Sequence, residues 1–104
     1  MSARRYIFNA SFFTSPELRS DWERWLYNNF FPFISKINQE VESEVFEVLS
    51  DVNQDMLVFS VQMRCATQQE IKALEQETTP IFDEFKQTFG ENATNFNSVL
   101  NKID

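Results

Sequence analysis

Few residues in this chain can do chemistry. The 104 residues contain no histidine, so the usual general base, metal ligand and haem ligand is missing. The single glycine cannot build a phosphate-cradling loop. Cys65 is alone, with no imidazole to activate it, and ends an apolar run. A buried, inert thiol is expected there, with no nucleophile and no internal disulfide. Asp51, Asn53 and Asp55 copy the start of a calcium loop, in which alternate oxygens converge on the cation. The pattern then fails: Met56 stands where the turn needs Gly, and Gln62 where a bidentate Glu closes the shell. A solvated hairpin loop is expected, and no metal site is assigned. Glu40, Glu42, Glu44 and Glu47 could pair as acid and base, but on an exposed strand such a row protects an edge from aggregation. Trp22 and Trp25 could stack on a ligand, yet their helical spacing beside Leu18 and Leu26 makes them core residues first. No catalytic residue and no cofactor is assigned.

Charge narrows the partners. Nine basic against sixteen acidic residues give a net charge of −7. The basic residues are dispersed along the chain, whereas a polyphosphate backbone needs a stripe of them, so nucleic acid is not an expected partner. No run of about 18 apolar residues is present to span a bilayer. The opening Met1-Ser-Ala-Arg-Arg-Tyr-Ile-Phe-Asn breaks its apolar run at Asn9 and Ser11, too soon for a signal peptide. A soluble, cytoplasmic protein is the expectation, and the unpaired Cys65 fits a reducing compartment.

The elements that would position these residues follow from periodicity. Tyr6 to Thr14 alternates with period two, placing Tyr6, Phe8, Ala10 and Phe12 on one face and Ile7, Asn9, Ser11 and Phe13 on the other. Ser15-Pro16-Glu17 then starts a helix, with a cap, a proline at the first position and an acid at the positive dipole end. Its stripe is Leu18, Trp22, Trp25, Leu26 and Phe30, and Pro32 is expected to interrupt it. Val41 to Leu49 and Met56 to Cys65 are β-branched and aromatic and predict two antiparallel strands around a polar loop. The first alternates poorly, with Phe46 and Val48 out of step, which predicts a bulge or an edge. In the second, Leu57, Phe59, Val61, Met63 and Cys65 share a face. Thr67-Gln-Gln-Glu70 is a capping box opening a second helix, whose stripe runs Ile71, Leu74, Thr78, Phe82, Phe85, Phe89 to a stop at Gly90. Thr94 to Ile103 predicts a weaker strand with Phe96 and Leu100 as core contacts.

Strand, helix, strand, strand, helix, strand is the order of the ferredoxin-like βαββαβ plait: one α+β domain over residues 1–104, a four-stranded antiparallel sheet with two proline-kinked helices on one face. Pro32-Phe33-Ile34 and Pro80-Ile81-Phe82, 48 residues apart, repeat at nearly half the chain. Right-handed crossovers put strands one and three at the centre. The predicted helix-side core is Phe8, Phe12, Leu26, Phe30, Phe59, Val61, Leu74, Phe82, Phe85 and Phe89.

The opening YIFNASFF, the Trp22/Trp25 helix running into Phe30-Phe-Pro32, the strand ending VFSVQM and the second helix closing on Thr88-Phe89-Gly90 carry a resemblance. The chain resembles small bacterial proteins known only as a domain of unknown function, within the dimeric α+β barrel group of ferredoxin-like folds. Members of that family often have a His just before the first proline; here Phe30 takes that place. The resemblance implies the plait and no activity. In related cofactor-independent oxygenases and the haem-degrading branch, a strand-one Asn lines the substrate pocket, and this chain is similar to them at Asn9 alone.

The face without helices carries Ile7, Phe13, Met56, Val58 and Val99 among Asn9, Ser11, Ser60 and Gln62. That mixture is too oily to stay wet and too polar for an ordinary core. Two copies packed sheet to sheet solve both problems. The expectation is therefore a homodimer of α+β barrel type, with Ile7, Phe13, Met56, Val58 and Val99 at its interface. Asn9, Ser11, Ser60 and Gln62 would bound a pocket for a small apolar or aromatic ligand. A non-catalytic binding protein is the first functional expectation. A cofactor-independent monooxygenase of the antibiotic-biosynthesis type is the second, and a protein-interaction module the third.

Overall fold

A computed structural model describes residues 4–49 and 55–103. The strands are β1 (Tyr6–Thr14), β2 (Glu42–Glu47), β3 (Leu57–Cys65) and β4 (Ala93–Asn101). They form one antiparallel sheet in the order β2-β3-β1-β4, so the two strands with the strongest alternation are the central pair. Between β1 and β2 lie a 3-10 turn (Pro16–Leu18), α1 (Arg19–Trp25), a π-helical turn (Leu26–Phe30) and α2 (Phe31–Ile37). Between β3 and β4 lie α3 (Gln68–Glu77), α4 (Thr79–Phe89) and a 3-10 turn (Gly90–Asn92). The ferredoxin-like α+β plait expected from the element order is the fold observed.

Both helical connections pack on one face, where all ten residues of the predicted core are buried. Phe12 sits at the middle of an aromatic cluster, with ring centroids 5.0 Å from Phe85, 5.4 Å from Trp22, 5.9 Å from Trp25 and 6.0 Å from Phe30. Such tilted and edge-to-face pairs match the positive rim of one ring to the negative face of the next. Trp22 stacks on Phe59 with centroids 4.4 Å apart. Both tryptophans are core residues, as their spacing predicts.

The capping box at Thr67 forms as read: the Glu70 amide donates to Thr67 Oγ1 at 3.1 Å, and Glu70 Oε1 accepts from the amides of Ala66 and Thr67. Gly90 ends α4 with φ of +64°, a conformation that glycine adopts without a Cβ penalty. β2 is an edge strand, paired to β3 without a bulge from Glu42 opposite Arg64 to Glu47 opposite Phe59.

Four expectations need correction. Pro32 does not interrupt the first helix. The preceding turn widens instead, so that the Phe31 N–H reaches back to the carbonyl of Leu26, and the proline falls in the first turn of α2, where its missing N–H costs nothing. Phe96 and Leu100 are not core contacts: they are 65% and 43% exposed. Pairing of Ala93 with Thr14 sets the parity of β4, which puts Phe96 beside Ser11 and Leu100 beside Ile7, on the face away from the helices. Val99 moves the other way for the same reason, since its partner is Phe8, so it is a helix-side residue and no part of the open face. Met56 is half-buried and precedes β3 rather than opening it.

Candidate functional site

The open face of the sheet is where the polar residues converge. β1 and β3 pair so that Asn9 lies opposite Gln62 and Ser11 opposite Ser60. Period-two alternation then turns all four side chains away from the helices. Their hydrogen bonds form a chain: the Asn9 amide donates to Ser11 Oγ at 3.1 Å, Ser60 Oγ donates to Asn9 Oδ1 at 2.6 Å, and the Gln62 amide donates to Ser60 Oγ at 3.5 Å. Arg64 extends it by donating to Gln62 Oε1 at 3.2 Å, and its other terminal nitrogen is ion-paired with Glu44. Asn9, Ser11, Ser60 and Gln62 are thus one network, each half-buried in a single chain.

Apolar residues frame the network. Ile7, Phe13 and Val58 share the face and are half-buried, with Phe13 directly opposite Val58. Phe46 of β2, opposite Ser60, and Phe96 of β4, opposite Ser11, close the row on either side, 43% and 65% exposed. Ser11 and Ser60 therefore sit between two exposed phenylalanines on one rung across all four strands. Alternation along the predicted strand Met56 to Cys65 puts Arg64 on this face with Ser60 and Gln62, as observed, whereas sequence reasoning missed Phe46 and Phe96 as members of it. For Phe46 the signal was present, in its alternation with Glu42 and Glu44.

The other chemistry-bearing residues are engaged structurally. The glutamates of the β2 edge are ion-paired: Glu42 with Arg4 at 3.2 Å, Glu44 with Arg64, and Glu47 with Arg19 at 3.4 Å. Among the described residues no group of three or more Asp, Glu or Cys side chains is placed to hold a metal ion. Asp51 and Asn53 of the calcium-loop motif lie outside the described residues. Cys65 is 1% exposed; burial pushes its thiol up to about 11, Glu70 adds to the rise and Arg4 opposes it. A thiol so held is protonated, and the thiolate is the reactive form. No helix among the described residues is long and apolar enough to cross a membrane.

The model of a domain of unknown function, DUF4286, matches residues 5–103. The chain belongs to the DUF4286 family. No curated protein matches it in sequence. Three solved structures show how widely the fold of this DUF4286 protein is shared. A de novo designed protein, Foldit4, is similar with a TM-score of 0.65 at 15% identity, over 94% of this chain and 98% of that one. A dimeric ferredoxin-like protein from an uncultured marine organism is similar with a TM-score of 0.54 at 12% identity, over 95% of both chains. A Streptomyces coelicolor monooxygenase from the gene ActVA-Orf6, solved with nanaomycin D, is similar with a TM-score of 0.53 at 9% identity, over 91% of this chain and 87% of that one. Identities this low establish the fold alone. A scaffold shared by a designed protein and a monooxygenase carries no activity of its own.

Proposed function

We propose that this DUF4286 protein is a non-catalytic homodimer that packs the open faces of two sheets together and holds a small apolar or aromatic ligand in the cleft they enclose. The observation that carries this reading is the rung Phe46, Ser60, Ser11, Phe96, in which large exposed rings flank a hydrogen-bonded polar centre. Rings at the margins gain by leaving water on contact with a second copy, while the internally bonded centre tolerates a moist cleft. The likeness to a dimeric ferredoxin-like protein supports it. Light scattering at micromolar concentration should return the mass of two chains, and Val58→Arg, which places a charge opposite Phe13, should return one. A single-chain mass for the unaltered protein overturns the dimer.

The second reading is a cofactor-independent monooxygenase acting on an aromatic substrate in the same cleft. It draws support from the likeness to the Streptomyces coelicolor monooxygenase and from Asn9, whose amide keeps one proton outside the bonds described. The absence of histidine and of a nucleophile paired with a base favours the binding protein. Oxygen uptake over a panel of quinols separates the two: turnover that disappears in Asn9→Ala would replace the first reading with the second.

A further inference from the structure

At the end of the open face remote from the serines, one rung crosses the whole sheet as Glu42, Arg64, Ile7, Leu100. Above it is a cavity of about 710 Å³, with Arg4 and Lys102 completing the charged part of its wall. A volume of that order holds a ligand of drug size. Three of the chain's nine basic residues meet here, although the chain as a whole carries −7. The lining includes one carboxylate, Glu42.

These groups are held in place. Arg64 is 28% exposed and braced from both sides, by Glu44 and by Gln62, which leaves donors of its five-donor guanidinium uncommitted. Arg4 is 27% exposed, donates to the Glu40 carbonyl and is paired with the Glu40 carboxylate at 3.6 Å and the Glu42 carboxylate at 3.2 Å. The backbone of Lys102 is locked to Arg5 by two bonds of 2.7 Å, one donated by the Lys102 amide and one by the Arg5 guanidinium. Among the described residues no carboxylate pairs with the Lys102 side chain. Beside Arg64 on the same rung, Ile7 and Leu100 form an apolar floor, and Leu100 is still 43% exposed.

A Lys102 unpaired among the described residues and the spare donors of Arg64, set beside an apolar floor, select a ligand that is anionic at one end and apolar at the other. We propose that this cavity binds a small organic carboxylate, its anionic head on Lys102 and Arg64 and its ring or chain against Ile7 and Leu100. The site lies at the far end of the same open face and shares Ile7 with the proposed interface, but its polar groups are charged where those at the serine rung are neutral. Arg64 joins the two, since Gln62 bonds to it and to Ser60.

The test is isothermal titration of the full chain with 1-naphthylacetate and with its neutral counterpart 1-naphthylethanol, at low and at high salt. The acid should bind at least tenfold more tightly than the alcohol and lose that advantage as salt rises. Lys102→Glu should weaken the acid at least tenfold, Lys102→Arg should keep it within threefold, and Lys86→Glu, the same charge change on the exposed side of α4, should leave it unaltered. Circular dichroism and thermal melts of each variant check that the fold is intact. Equal affinity for acid and alcohol, an acid indifferent to Lys102→Glu, or no heat from the acid at millimolar concentration would overturn the assignment. Light scattering on the same samples keeps the two readings separate, because a single-chain mass with intact acid binding would end the dimer and leave this site standing.

Discussion

Replacing Phe12 by Ala removes the ring that the rest of the core is built around. Phe12 is fully buried and lies within 6.1 Å, centroid to centroid, of Trp22, Trp25, Phe30, Phe82 and Phe85. Truncating a buried Phe costs about 3 to 5 kcal/mol, from lost transfer energy and the cavity left behind. The five ring contacts, each worth about 0.5 to 1.5 kcal/mol beyond area, place this site at the upper end. The surrounding rings come from two helical connections and cannot all collapse into one hole. Against a total stability of about 5 to 15 kcal/mol, that is a large fraction of the whole. With a urea dependence of about 1 to 3 kcal/mol per molar, the unfolding midpoint should fall by roughly 2 M. Trp22 and Trp25 touch the deleted ring, so their fluorescence reports the transition directly. Protomer concentration must be matched, because the proposed dimer would make stability depend on it. A loss below about 1.5 kcal/mol, which is within the range of a volume-conserving swap, would mean that Phe12 is not packed as described.

Gly90→Ala meets no atom within 4 Å of the added methyl, so its cost comes from the positive φ alone; unfolding by urea should show a loss of about 1 to 3 kcal/mol, and no loss would mean that α4 ends differently. Cys65 should resist a disulfide reagent at pH 8 in the folded protein and react at once in denaturant. Its thiol is held up in the fold, so its contribution to stability is complete below the ordinary thiol range and is lost as pH rises through about 11. Cys65→Ala should remove that part of the alkaline decline in stability, and an unaltered profile would refute it.

Legibility in the sequence followed how strongly each element is buried. β1 and β3 are central, one face of each is sealed by helices, and alternation identified every buried apolar position in both, leaving only the buried Thr14 unnamed. The capping box and Gly90 were legible because they are local chemistry, satisfied within four residues. β4 was misread because it is an edge strand with weak burial. Asn95, Asn97 and Val99 take the helix-side positions, while Phe96 and Leu100 turn out, so polarity along it runs opposite to the usual rule. Only pairing with β1 sets its face, and that information lies some 80 residues away. The polar network at Asn9 was legible as a set of residues on one face. Arg64 was legible on that face by alternation, but its bonds to Gln62 and Glu44 were not, because they depend on side-chain geometry and on the register of β2. Pro32 misled for a different reason: the rule that proline breaks a helix assumes the turn before it is α.

That turn has a geometrical consequence. An α-helix advances about 100° per residue, so each step of four overshoots a full revolution by about 40°. Trp22, Leu26, Phe30 and Ile34 are three such steps, and in an unbroken α-helix the last would have swung about 120° around the axis from the first. All four are buried. The wide turn from Leu26 to Phe30 spends more residues on one revolution, so the overshoot of the middle step is cancelled and the stripe comes back under the sheet. The π turn acts as a phase correction, and it explains how a helical segment of this length can hold a straight seam against a flat layer using residues spaced four apart. Ideal α geometry through the same residues would leave Phe30 about 80° and Ile34 about 120° around the axis from Trp22, so neither could share its seam.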